Sequence, residues 1–322
     1  MSSAGSRFTD KLPAVPGRYR GELFCLLGSL CFAFSGTVAK ILLLSGLSPW
    51  RLTQVRCAGA LLLLGPVMLL SRGPSLRIAR ADLMRMVVFG VVGVAVVQAL
   101  YFVAIARVSI GIALLLEFTA PVWILLYLRF WKGVAVPQGL WLALGLSLSG
   151  LLLITEAWQG LKLDAVGVAA ALLDALALAV YYLLGGRLSR SYSGMTLSAW
   201  GFAVTTVMMV MLQPFHTFPV EVLSMPLPLL GRFAHLALPG WALLTWVVVF
   251  GTVVPYVLVA NGLRLLRAST ASLLGMTEPV MAGLIAWWWL GEALTPVQLA
   301  GSVVVLAGVM AADRVRSAVA SD

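Results

Sequence analysis

Val108 to Val122 reads VSIGIALLLEFTAPV, and Leu266 to Val280 reads LRASTASLLGMTEPV. Set over each other with a constant shift of 158 residues, Thr119 falls on Thr277, Pro121 on Pro279 and Val122 on Val280. Self-similarity at a fixed period is the mark of a duplicated chain. Working outward from these two stretches, apolar runs of about twenty residues recur in both directions, each long enough to cross a hydrocarbon core of roughly 30 Å. Gly, Pro and charge punctuation divide them into ten spans, 22–44, 50–70, 84–105, 109–129, 138–155, 165–185, 195–213, 240–263, 269–290 and 296–312. The two similar stretches lie on the fourth and the ninth. Five spans per half is an odd number, so a parallel duplication must insert its halves in opposite senses. The predicted fold is all-α and polytopic, with ten transmembrane helices in two inverted five-helix repeats. The divisions are an N-terminal tail over 1–21, repeats over 22–155 and 165–312, and a C-terminal tail over 313–322. Inverted repeats are an architecture of secondary transporters, with the substrate site near the midplane between the halves.

Composition agrees. The chain has 322 residues, 61% of them hydrophobic and 11% charged, with mean hydropathy +1.02. Soluble domains hold about 45–50% apolar and 25% charged residues, so a large soluble enzyme, a disordered chain and a disulfide-stapled secreted domain are excluded. The first apolar run is too long for a cleavable signal peptide and has no small-residue cleavage site. The net charge of +10 reflects topology rather than nucleic acid, because cytoplasmic loops collect Lys and Arg. With the N-terminus inside, sixteen of the 22 basic residues are cytoplasmic, among them Arg7, Lys11, Arg72, Arg77, Lys132, Arg187 and Arg267. This puts both termini in the cytoplasm, the chain in the inner membrane, and the Pro-rich connection 214–239 outside. Cys25, Cys31 and Cys57 lie in apolar segments with no metal-ligand spacing and read as packing residues.

Several chemistries are missing. There is no GxxxxGK[ST] phosphate loop, no HExxH and no G-x-S-x-G elbow. The two histidines, His216 and His235, both fall in the outer loop. No metal site and no cofactor are expected, and no enzymatic activity. An intramembrane enzyme acting on lipid would need a nucleophile–base pair at a headgroup-accessible end, and none is visible.

The run from Thr277 to Met310, TEPVMAGLIAWWWLGEALTPVQLAGSVVVLAGVM, closely resembles the second repeat of the EamA family in the drug/metabolite transporter superfamily. The resemblance is carried by Glu278-Pro279, Leu290-Gly291-Glu292, Gln298 and Gly301, and it extends over 22–312. Arg56 resembles the Arg of that family's second helix, and Lys40 the basic residue that often ends its first. Gly111 to Pro121 and the stretch Asp164 to Arg187 resemble the threonine/homoserine exporter branch, with departures at Ala120 and Asp174. The resemblance implies a ten-helix exporter with a central cavity lined mainly by helices 1, 3, 4, 6, 8 and 9. Its coupling would be to a proton, to exchange, or absent.

Ionisable residues inside a membrane are expensive and face the bundle or a wet cavity. Here they are Lys40, Arg56, Glu117, Asp174 and Glu278. At 1.5 Å per residue, Glu117 and Asp174 lie about 12–13 Å from the outer face, and Glu278 about 13 Å from the inner one. Two readings stand. Glu117 and Asp174 contact a substrate amino group or carry a proton. Alternatively they belong to a structural network of ion pairs, Arg56 with Glu117 and Lys40 with Asp174. Gly167, Asp174 and Tyr181 recur every seven residues and share a face of helix 6. Ser29, Ala33, Gly36 and Lys40 form a similar stripe on helix 1, as a cavity wall or a packing seam. Gln98 and Tyr101 are neighbours at i, i+3 and can hydrogen-bond a zwitterion. Trp123, Tyr256 and Asn261 are further candidates for substrate contact. Trp287, Trp288 and Trp289 read as an interfacial belt. Pro121, Glu278 and Pro279 are assigned to conformational change, because a mid-span Pro breaks the backbone ladder and lets half of each repeat rock.

The expected protein is therefore a secondary membrane exporter of small polar metabolites working by alternating access, amino acids or related compounds first, with an exporter of another metabolite or drug class as the alternative beside the lipid enzyme. Its expected partners are a small-molecule substrate, the lipid bilayer and, where an ion is coupled, protons, with no nucleic acid, as a monomer or homodimer.

Overall fold

Long apolar runs in lipid can satisfy their backbone only by closing hydrogen bonds within each segment, and the chain does so. The computed structural model describes residues 15–70, 77–105, 107–108, 110–156, 158 and 164–321. Arg7, Lys11, Arg72 and Lys162, on which part of the orientation argument rests, lie outside the described residues. Among the described residues, ten helices are long and apolar enough to cross a membrane. We name them α1 (Val15–Leu44), α2 (Pro49–Leu70), α3 (Arg80–Ile105), α4 (Gly111–Trp131), α5 (Gln138–Thr155), α6 (Ala165–Leu188), α7 (Gly194–Leu212), α8 (Gly240–Leu265), α9 (Ala268–Leu290) and α10 (Pro296–Ser321). Every predicted span has its helix. Two predicted tails are partly helical instead, since α1 begins at Val15 and α10 continues to Ser321.

Packing is paired as a two-fold relation between halves requires. Helix α1 packs on α8 and its counterpart α6 on α3, while α2 packs on α7 and α5 on α10. Irregularities repeat too. Both α3 and α8 widen to π-helix in mid-span, at Phe89–Val96 and Val249–Val253. Both α4 and α9 end in a π-turn, Tyr127–Trp131 and Ala286–Leu290, followed by a glycine at positive φ, Gly133 and Gly291. In each half a neighbouring helix supplies a donor to a carbonyl within the π-turn. Thr205 of α7 donates to the Gly90 carbonyl at 3.2 Å, and Arg56 of α2 donates to the Gly251 carbonyl at 3.0 Å.

Between α5 and α10 the backbones nearly touch. A Cβ on Gly150 would lie 2.5 Å from the Val305 nitrogen, and one on Gly301 2.7 Å from the Gly150 carbonyl oxygen. Small residues at such a seam allow the close packing on which membrane helices rely. Gln298 has a structural task at the start of α10. It accepts from the Thr295 nitrogen while Thr295 Oγ1 accepts from the Gln298 nitrogen, both at 3.1 Å. This is a capping box, tied to α5 through Glu156, which accepts from Thr295 Oγ1 at 2.8 Å.

The connection after α7 is more structured than its proline content suggests. It forms a short antiparallel ribbon, β1 (Pro226–Pro228) with β2 (Ala237–Pro239), Leu227 opposite Leu238. Buried Arg51 anchors its start by donating to the carbonyls of Gln213 and Pro214 and to Thr217. Its tip docks on the end of α9, where Phe233 packs edge-on against Trp288 and Trp289 at 5.6 and 5.7 Å. The tryptophans therefore hold this loop, which an interfacial belt alone does not explain.

Candidate functional site

Helices α4 and α9 are each broken at the residue the repeat brings into register. The α-turns run Ile110–Glu117 and Ala120–Leu126 in α4, and Ala268–Gly275 and Glu278–Ile285 in α9. Proline has no N–H, so Pro121 gives no bond to the Glu117 carbonyl and Pro279 none to that of Gly275. A threonine tightens each break. Thr119 Oγ1 donates to the Leu116 carbonyl at 2.6 Å, and Thr277 Oγ1 to that of Leu274 at 2.7 Å. Glu117 is the last residue before one break and Glu278 the first after the other. The two breaks face each other, because the first half of α9 packs on the second half of α4.

Around these breaks the intramembrane charges converge. Tyr101 on α3 is within electrostatic reach of Glu117, Glu278, Asp174 and Arg56, contributed by α4, α9, α6 and α2. A side chain that senses four other helices points into the bundle. Glu117 is in turn close enough to Asp174 and to Glu278 for their charges to interact. Asp174 is 0% exposed, and neither of its carboxylate oxygens has a hydrogen-bond partner. Glu117 and Glu278 are half-buried and make no ion pair among the described residues. One turn before Tyr101, Gln98 is 7% exposed; its Nε2 reaches the Val94 carbonyl at 3.4 Å while its Oε1 is unpartnered.

The ion pairs Arg56–Glu117 and Lys40–Asp174 are not formed. Arg56 Nε donates to Thr252 Oγ1 and its Nη2 to the Gly251 carbonyl, both at 3.0 Å. Four residues after Gly251 stands Pro255, which brings no N–H, so the Gly251 carbonyl is open to the guanidinium. Lys40 stands 4.0 Å from Glu292, and both are exposed. No sequence pattern announced Thr252 as a partner, since a π-turn has no residue signature of its own.

The remaining candidates fall in different places. The stripe Gly167, Asp174 and Tyr181 faces α3 and the turn after it. A Cβ on Gly167 would lie 2.8 Å from Arg107 Cβ, and one on Gly93 3.0 Å from Tyr181 Cα. Tyr181 stacks on Phe89 at 5.2 Å and meets Tyr256 at 5.9 Å. Tyr256 also meets Phe32 at 5.4 Å and Phe202 at 5.1 Å, so both tyrosines belong to a buried aromatic cluster joining five helices. Tyr182, which sequence reasoning passed over, comes closer to the breaks. Its hydroxyl occupies the space beside Gly275 that a Cβ would need. Asn261 lies about 13 Å beyond Thr252 along α8 and packs against Gly194 at the start of α7. On α1, Ser29 and Ala33 are buried seam residues, whereas Gly36 faces open space and Lys40 is exposed. Trp123 lines a groove of about 1040 Å³ between α4, α6 and the α8–α9 turn, with Lys132, Arg187, Arg190 and Arg267 among its lining residues. The Trp123 indole N–H is buried without a partner.

Among the described residues, ten helices fit for a bilayer, two of them broken in mid-span with carboxylates at the breaks, make a multi-pass membrane protein. The model of the EamA-like transporter family matches residues 19–156 and again residues 165–312, five spans each, and the chain belongs to that family. Relatives carry transporter names. An uncharacterized transporter of Archaeoglobus fulgidus is 28% identical over 66% of this chain and 71% of its own. The uncharacterized transporter YdfC of Bacillus subtilis is 28% identical over 88% of this chain and 87% of its own. The threonine/homoserine exporter RhtA of Escherichia coli is 28% identical over 73% of this chain and 72% of its own. A crystal structure with TM-score 0.74 and 17% identity covers 92% of this chain and 98% of that one, and shows the shared fold.

Proposed function

We propose that the protein is a secondary exporter of small polar metabolites, amino acids or close relatives, working by alternating access. The observation that carries this is the meeting of two broken helices at a group of intramembrane carboxylates, one of them wholly buried and unpartnered. Intramembrane acids persist where they bind a ligand or carry a proton. The threonine/homoserine exporter among the relatives supports the substrate guess. In this reading the repeats 22–155 and 165–312 are the moving bodies, the breaks at Pro121 and Pro279 are the hinges, and Glu278 holds the second hinge. Glu117, Asp174, Gln98, Tyr101 and Trp123 face the substrate. Tyr181 and Tyr256 shape the wall, Arg56 supports the α8 π-turn beside the site, and Lys40 and Asn261 lie at the two ends of the path. Both termini are cytoplasmic, and the membrane is the inner one. The chemistry is transport, not bond-making.

The test is uptake into proteoliposomes of radiolabelled threonine, homoserine, alanine and an aromatic amino acid, with and without a pH gradient. Wild type is compared with Glu117→Gln. Saturable flux of any of them, lost in a correctly folded variant, is the expected result. Absence of flux for all four removes amino acids from the reading.

A further inference from the structure

Of the four buried polar atoms that the described residues leave open around the two breaks, one is a donor, Trp123 Nε1, and three are acceptors. Asp174 Oδ1 and Oδ2 and Gln98 Oε1 are buried acceptors with nothing donating to them. Both side chains are more than nine-tenths buried. Buried acceptors without donors are costly, and a ligand that supplies donors removes the cost. The balance of ionisable side chains leans the same way: three acids, Glu117, Asp174 and Glu278, stand against one guanidinium in reach of Tyr101. That guanidinium already donates through Nε and Nη2 to Thr252 and Gly251. The ammonium of Lys40 stands beside Glu292. A substrate carboxylate would therefore meet three acidic side chains, with the guanidinium already engaged. Among the described residues, no three acidic, His or Cys side chains come close enough to hold a metal ion.

From this we infer that the site takes an organic cation bearing primary ammonium groups, a diamine or the side-chain end of a basic amino acid, in preference to a neutral zwitterion. The inference rests on the transporter reading and names its substrate class. One ammonium donates to Asp174 and Gln98, and the positive charge is shared with Glu117 and Glu278. Tyr101 closes the site from α3. Charge-assisted hydrogen bonds of this kind are about twice as strong as neutral ones, and burial keeps salt from screening them.

The test uses the purified full-length protein, with binding and flux read separately. Binding of radiolabelled putrescine, lysine and threonine is measured in detergent, and uptake of the same three in proteoliposomes. Wild type, Asp174→Asn and Asp174→Glu are compared, each checked for monodisperse folding. Putrescine or lysine binding at least tenfold tighter than threonine, weakened tenfold or more by Asp174→Asn and restored in part by Asp174→Glu, is the expected result. Threonine bound and transported while neither cation binds or competes overturns the inference and leaves the transporter standing. Cation binding without flux of any of the three upholds the site and counts against transport. Cation binding unchanged in folded Asp174→Asn, with only the response to a pH gradient lost, makes Asp174 a proton carrier and overturns the inference. No binding and no flux of any probe defeats both.

Discussion

Replacing Asp174 by alanine is expected to stabilise the protein while abolishing its transport. The side chain is 0% exposed, both oxygens lack partners, and it is flanked by buried Ala170, Ala171, Ala175 and Ala177. An unsatisfied buried polar group costs about 1–3 kcal/mol, and an Asp at the middle of a membrane helix about 2.5–3.5 kcal/mol on the insertion scale. Removing three heavy atoms leaves a void of about 20 Å³, which at about 24 cal/mol per Å³ offsets roughly 0.5 kcal/mol. Alanine also has the higher helix propensity, by about 0.5 kcal/mol. The net expectation is a gain of about 1–3 kcal/mol, each kcal/mol raising the midpoint by roughly 2–4 °C. Cys25 and Cys57 are 2% and 0% exposed, so a thiol-reactive dye reports unfolding directly. A midpoint in Asp174→Ala several degrees below wild type, without ligand, would refute the reasoning, because it would mean that the carboxylate is held by favourable contacts.

Other consequences follow from the same contacts. Arg56→Met strips the donor from the Gly251 carbonyl and from Thr252; at the modest values found for polar contacts in membranes, a loss of about 1–3 kcal/mol is expected in the same unfolding assay. Gly150→Val forces a side chain onto the Val305 backbone nitrogen, 2.5 Å from its Cβ, and overpacking of this kind costs about 1–3 kcal/mol or more; the thermal midpoint should fall and expression with it. Lys40→Ala breaks only an exposed 4.0 Å pair with Glu292, so the midpoint should move by less than the equivalent of about 1 kcal/mol. A larger fall would show Lys40 to be part of the core.

Span positions were legible because hydropathy and the length of a bilayer crossing decide them together, and each predicted span met its helix, although α1 begins at Val15 and α10 runs on to Ser321, well outside the apolar runs. The duplication was legible from Thr119/Thr277 and Pro121/Pro279, residues whose backbone demands survive when apolar positions drift. Convergence of Glu117, Asp174 and Glu278 followed from the rule that membrane acids face inward. The partners of Arg56 and Lys40 were not legible. Charge complementarity suggested carboxylates, whereas geometry gave Arg56 the Gly251 carbonyl, which Pro255 leaves without an N–H, and Lys40 a glutamate just past the end of α9. Asn261 shows another limit, since a polar residue on the right helix can sit about 13 Å along it from the site. The ribbon 226–239 escaped because its Pro-rich sequence carries turn signals without a strand period, and its docking depends on Trp288 and Trp289, which are remote in sequence.

Alternating access itself is tested most directly by reach from the two sides of the membrane. Cys25, Cys31 and Cys57 are replaced, and Tyr101→Cys places a thiol among the carboxylates. A membrane-impermeant thiol reagent is then applied to right-side-out and to inside-out vesicles, with and without a transported substrate. The account predicts labelling from both sides, slowed by substrate in each. Labelling from one side only, unaffected by substrate, would contradict it.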